Sequence, residues 1–120
     1  MKNYKKLIVW QKSIQLTKDI YRLVKLLPKE ETYGLSYQMR RAAISVPSNI
    51  SEGNARDTQG EVVHFLSIAQ GSLAELETQL ILCSELEYIP MEKLSDSIAL
   101  CDEISRMLSS LKTRISKYGK

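Results

Sequence analysis

Glu61 and His64 stand three residues apart, the spacing with which helical bundles present two iron ligands from one helix face. A complete di-iron site of that kind takes two such motifs and two further carboxylates, and His64 is the only histidine in the chain. The plainer reading is a helix-capping glutamate beside a surface histidine, so no metal site and no cofactor are expected. A Ser or Cys nucleophile needs a base within hydrogen-bond reach. His64 falls at the start of a helical segment, whereas Cys83 and Cys101 fall in apolar stripes farther along, so no catalytic residue is assigned. The tripeptide Asn49-Ile-Ser51 matches a glycosylation acceptor, a chemistry that needs export. No Gly-rich loop follows a strand, which excludes a phosphate cradle of the P-loop or dinucleotide-binding kind.

Two polar groupings remain. Gln38, Arg41, Ser45, Asn49 and Glu52 follow one another at spacings of 3, 4, 4 and 3, along one helix face. One reading is structural: Arg41 pairs with Glu75 or Glu77 of the third helix, while Ser48 and Asn49 satisfy carbonyls freed by Pro47. The other is functional. Lys18, Arg22, Lys25 and Lys29, with Arg40, Arg41 and Arg56, form a basic grouping that either tracks phosphates by releasing counterions or is merely solvated.

Four helices must position these residues. Val9, Ser13, Leu16, Ile20, Leu23 and Leu27 beside Trp10, Ile14, Thr17, Tyr21 and Val24 make a broad apolar face, predicting helix one over 7–27 with Pro28 as its stop. Ser36 is the expected N-cap of helix two, over 36–53, where Met39, Ala42, Ala43, Val46 and Ile50 form a small-residue stripe. Pro47 lies inside that stripe and predicts a kink, and Gly53 is the expected end. Thr58 and Glu61 fit a capping box opening helix three, over 59–87. There Val62, Leu66, Ala69, Leu73, Leu76, Leu80 and Cys83 alternate by 4 and 3, the pattern of shallow bundle packing. Helix four, over 91–117, carries Leu94, Ile98, Cys101, Ile104, Leu108, Leu111 and Ile115. With short connections, these segments predict a single all-α domain over 1–120, an antiparallel up-down four-helix bundle.

Composition agrees with one globular core, at 43% hydrophobic and 26% charged residues. The N-terminal segment has no continuous apolar stretch behind its lysines, and no run approaches the ~18 apolar residues of a membrane span. A soluble cytoplasmic protein with reduced Cys83 and Cys101 and no membrane partner is the expectation. The net charge of +3 is unevenly placed: residues 1–56 carry eleven Lys/Arg against four Asp/Glu, and residues 57–120 carry six against ten. A +7 half and a −4 half either neutralise each other, within or between subunits, or leave the basic half for an anionic partner.

Several stretches together carry a family resemblance: Val9 to Lys12, Pro28 to Glu31 with Tyr33 to Leu35, Gln38 to Ala43, Ser45 to Gly53, and Phe65 to Gln79. They resemble the bacterial four-helix bundle proteins also called 23S rRNA intervening sequence proteins, over nearly all of the chain up to the fourth helix. Arg40, Arg41, Asn49, Glu52, Gly53 and Arg56 stand at the family's motif positions. The resemblance implies a homopentamer and a relationship to the accessory protein of diversity-generating retroelements, which partners a reverse transcriptase and binds nucleic acid through a basic surface. The acidic second half departs from those strongly basic accessory proteins.

Three functions are open at this level. The first is a non-enzymatic oligomeric scaffold that binds RNA or DNA through the basic face of helices one and two. The second is a protein–protein scaffold assembled by complementary charge, without nucleic acid. The third and weakest is a metal-dependent bundle enzyme at Glu61, His64 and neighbouring carboxylates.

Overall fold

The structure, a computed structural model, describes residues 3–118. Its helices are α1 Ile8–Leu23, α2 Leu35–Asn54, α3 Gln59–Glu85 and α4 Met91–Tyr118, and the described residues contain no strand. Short 3-10 turns precede α1 (Tyr4–Lys6), extend it (Val24–Leu26) and lead towards α2 (Lys29–Glu31). The extents are 48 × 23 × 21 Å, and a 28-residue helix such as α4 is ~42 Å long, so the helices lie along the long axis of a compact bundle.

Each helix turns its expected stripe inward. Leu16 and Ile20 of α1, Met39 and Ile50 of α2, Leu66, Leu73, Leu76 and Leu80 of α3, and Leu94, Ile104 and Leu108 of α4 are all fully buried. Each such side chain contributes about 1.5–3 kcal/mol relative to exposure, and this shared core fixes the helices to one another. Cys83 and Cys101 are buried in it as free thiols. Burial pushes Cys83 up to about 11 and Cys101 up to about 12, with the charge of Glu31 adding to the first and of Glu77 to the second. Neither is a nucleophile at neutral pH.

The α2–α3 pair makes the most extensive helix contact. Ala42 and Ala43 of α2 are buried, and Gly53 lies close against α3, since a Cβ on it would sit 3.0 Å from Phe65 Cβ and 3.3 Å from the Val62 carbonyl oxygen. Gly53 therefore does not end α2 as the sequence led us to expect. It stays helical, α2 continues to Asn54, and its missing side chain makes room for α3.

Helix ends depart from expectation where local chemistry competes. The residue before a proline avoids helical backbone. Leu27, before Pro28, is extended (φ −79°, ψ 151°), so the last turn of α1 tightens into the 3-10 form. Ser36 is not the N-cap of α2: Gly34 holds that position, and the Glu31 carboxylate accepts the Leu35 N–H at 2.9 Å. The other Glu31 oxygen accepts from the Tyr88 hydroxyl at 2.9 Å, tying the α1–α2 connection to the α3–α4 connection. The Leu35 amide first, and the Tyr88 hydroxyl second, hold the Glu31 carboxyl below its ordinary pKa. Thr58 caps α3 as expected, accepting the Glu61 N–H at 3.2 Å. At its other end α3 stops two residues early, because Glu87 takes a left-handed backbone (φ 62°). Tyr88 N–H then reaches the Cys83 carbonyl at 2.9 Å and Glu87 N–H reaches the Ser84 carbonyl at 2.9 Å, a Schellman stop built without glycine.

Pro47 lies inside α2, and having no N–H it leaves the Ala43 carbonyl without its helical partner. The expectation that Ser48 and Asn49 compensate is wrong. Thr17 Oγ1, projecting from α1, lies 3.2 Å from the Ala43 oxygen and 2.8 Å from the Ser13 oxygen, sharing its proton between them. Asn49 Nδ2 instead donates to the Ser45 carbonyl (2.8 Å) and hydroxyl (2.9 Å), and the Ser48 carbonyl accepts from Ser51.

Candidate nucleic-acid interface

The seven basic residues named from sequence do not form one face. Lys25, in the 3-10 extension of α1, Lys29, in the connection after Pro28, and Arg40, on the second turn of α2, line one cleft of about 350 Å³. Pro28 explains the meeting, because it ends α1 and turns the chain so that Lys29 faces α2. Ser36 and Arg40, one turn apart at the start of α2, and Thr32 of the preceding connection complete the polar wall. No carboxylate lines this cleft. Lys25 and Lys29 are exposed and Arg40 is half-buried, and among the described residues none of the three forms an ion pair.

The other four stand apart. Lys18 is exposed on α1, also without an ion pair among the described residues. Arg22 is held by Asp19 at 3.0 Å. Arg56 pairs with Glu52 and lies over the Phe65 ring, 4.7 Å from its centroid. It lies beyond the C-terminal end of α2, which runs ~21 Å from Arg40 to Asn54 by helical rise. Arg41 does not pair with Glu75 or Glu77. Its guanidinium donates to the Tyr37 hydroxyl at 3.3 Å and sits 5.8 Å from that ring's centroid. This hydrogen bond leads the causes that raise the Arg41 pKa, and the charge of Glu75 adds a smaller push. The i, i+4 spacing of Tyr37 and Arg41 was a readable signal for this pair.

Part of the polar cluster of α2 is held in hydrogen bonds to its own helix and to α3. Arg41, Gln38, Ser45, Ser72 and Glu75 line a crevice of about 150 Å³ between α2 and α3, and Ser72 donates to the Ser45 hydroxyl at 2.8 Å. Ser45 and Asn49 are half-buried in this network, which joins the two helices, whereas Gln38 and Glu52 face outward. His64 is exposed, its ring edge-on to Phe65 at 5.4 Å, and the described residues hold no group of three or more His, Cys, Asp or Glu placed to bind a metal ion. A wider depression, about 890 Å³ between the start of α1 and the end of α4, is lined by Leu7, Val9, Met107 and Leu111 among its apolar residues. Lys6 and Arg114 also line it, with Ser109, Ser110 and Thr113, but no histidine or carboxylate stands there to activate a hydroxyl.

Fold and site together define a class: a small all-α four-helix bundle with a carboxylate-free cationic cleft at the α1–α2 turn. The chain belongs to the 23S rRNA-intervening sequence protein family, whose sequence pattern it matches over residues 5–110. It is similar to a solved structure from Bacteroides thetaiotaomicron, a protein of unknown function from the S23 ribosomal protein family, at 28% identity and a TM-score of 0.81. The match covers 88% of this chain and 98% of that one. No curated protein matches the chain. No helix among the described residues is long and apolar enough to cross a membrane.

Proposed function

We propose that the protein is a non-enzymatic, cytoplasmic, oligomeric scaffold, an antiparallel bundle that binds RNA or DNA through its basic surface. The observation that carries this reading is the convergence of Lys25, Lys29 and Arg40 on one cleft without an ion pair or a lining carboxylate. Cations left unpaired beside one another repel, and a polyanion relieves that repulsion while releasing its counterions. Lys18 extends the positive surface along α1. Self-association, as the homopentamer that the resemblance implies, is compatible with the exposed apolar residues Ile68, Ile81 and Leu82 of α3, which are about two-fifths exposed although Leu66, Leu73 and Leu80 already fill the core. A reverse transcriptase or another protein is a compatible partner of such an assembly.

A second reading has specific support in the charge division. Lys12 pairs with Glu103 at 3.1 Å across the two halves, whereas Arg22, Arg56 and Arg106 pair within their own halves. The basic half of one subunit then docks on the acidic half of its neighbour, with no nucleic acid involved.

Fluorescence-anisotropy titration of structured RNA, duplex DNA and single-stranded DNA, at low and near-physiological salt, separates the two. The protein's mass is first established by light scattering. Binding that weakens steeply with salt supports the nucleic-acid reading. No binding at either salt, with an assembly that falls to monomers as salt rises, supports the charge-assembled scaffold.

A further inference from the structure

The cleft between the end of α1 and the start of α2 holds more than its cations. Ser36 lines it and is 5% exposed, and its hydroxyl makes no hydrogen bond among the described residues. The hydroxyl oxygen itself is open to the cleft, so beside three cations it is free to donate to a bound oxyanion. Thr32 gives its proton to the Lys29 carbonyl at 2.7 Å and shapes the wall without donating to the space. The α2 N-terminus begins one residue before Ser36 and adds its partial positive charge. The nearest acidic cap, Glu31, is engaged by the Leu35 amide and the Tyr88 hydroxyl and does not line the cleft.

We propose that this cleft binds a phosphate monoester, the group at the end of a nucleic-acid strand, in preference to an internal phosphodiester. The proposal rests on the nucleic-acid reading above and names the part of the ligand that the cleft selects. A monoester carries about −1.5 to −2 charges near pH 7 and three terminal acceptor oxygens, whereas an internal diester carries one charge and two. Three cations and one hydroxyl donor match the former. Lys25 and Lys29 supply point charge, Arg40 supplies a planar pair of donors, and Ser36 supplies the inner hydrogen bond. A concave cleft of about 350 Å³ also admits a chain end more readily than a strand that must continue on both sides. The same chemistry is available from a free nucleoside monophosphate, so the test separates the two sources.

Internally labelled single-stranded RNA carrying a 5′-phosphate, a 3′-phosphate or neither is titrated against the full-length protein by fluorescence anisotropy. Adenosine monophosphate and inorganic phosphate serve as competitors. One phosphorylated strand binds about tenfold or more tightly than the unphosphorylated strand, the gain expected of several charge-assisted bonds. Ser36→Ala and Arg40→Gln each erode that preference. Circular dichroism establishes that both variants are folded. Equal affinity for all three strands overturns the monoester cleft and leaves the nucleic-acid reading standing. If no strand binds, the nucleic-acid reading fails, and the cleft is decided by adenosine monophosphate. A thermal shift that Ser36→Ala abolishes then sustains the cleft with a free nucleotide as its ligand, and no shift overturns it.

Discussion

Replacing Thr17 by valine keeps the shape of the side chain and removes the hydroxyl that reaches across from α1 to the Ala43 carbonyl at 3.2 Å. The Ser13 carbonyl, the second acceptor, keeps its helical amide partner, so the loss falls on Ala43, whose partner Pro47 cannot supply. An orphaned buried carbonyl costs about 1–2 kcal/mol, which in a domain of this size lowers Tm by roughly 4–8 °C. Pro47→Ala restores an N–H to α2, and in that background the Ala43 carbonyl no longer depends on Thr17. Thr17→Val should then cost no more than about 0.5 kcal/mol, giving a coupling of roughly 1 kcal/mol between positions thirty residues apart in sequence. Urea unfolding of the four proteins of the cycle, followed by circular dichroism at one protein concentration, measures it, because assembly would otherwise shift the midpoints. An equal cost of Thr17→Val in both backgrounds refutes the assignment of Thr17 as the partner of the freed carbonyl.

Three further outcomes follow from the geometry. Glu87→Gly should stabilise the fold by about 0.5–1 kcal/mol, since Glu87 holds a left-handed backbone (φ 62°) that glycine adopts without a Cβ clash; an unchanged or lower urea midpoint contradicts this. Gly53→Ala should destabilise by about 1–2 kcal/mol, because its new Cβ meets Phe65 Cβ at 3.0 Å and displaces a packed helix, outweighing the propensity gain. Gly60→Ala, whose Cβ meets nothing within 4 Å, is the matched control and should gain up to ~1 kcal/mol. Glu31 has its folded pKa depressed, so its contribution is present above the ordinary carboxylate range and is lost as pH falls through the lowered folded value. Urea midpoints of wild type and Glu31→Gln should therefore converge between about pH 5 and pH 3, and parallel profiles would show that the carboxylate does not act there.

Periodicity made the core legible: Leu66, Ala69, Leu73, Leu76, Leu80 and Cys83 are all buried as their spacing requires. One dominant apolar face, repeated over three heptads, leaves a helix a single way to pack. Local punctuation was less readable. Ser36 has the composition of an N-cap, yet the helix begins one residue before it and Glu31 accepts the Leu35 amide from an adjacent turn, and helical spacing says nothing about a carboxylate outside the helix. Gly53 looked like a stop because glycine often is one, whereas here the reason for glycine is a neighbour, Phe65, from another helix. Pro47 was readable as a defect, but its compensation by Thr17 is a tertiary contact that no local pattern encodes. The basic residues were named correctly as cations and grouped too broadly. Only the turn at Pro28 decides that Lys25 and Lys29 meet Arg40 while Arg41, one residue on, faces Tyr37. The i, i+4 spacing of Ser36 and Arg40 was present in the sequence as a signal for one side of the cleft wall.

The most direct test of the nucleic-acid assignment is the salt dependence of binding for wild type and a Lys25→Gln/Lys29→Gln/Arg40→Gln variant, using whichever strand binds best. Each phosphate contact contributes about 0.7–0.9 to the slope of log K against log salt, so loss of three cations should flatten that slope by about 2–3 units and weaken binding at every salt. A variant that keeps both the wild-type slope and the wild-type affinity would place the nucleic-acid surface elsewhere and contradict the role given to this cleft.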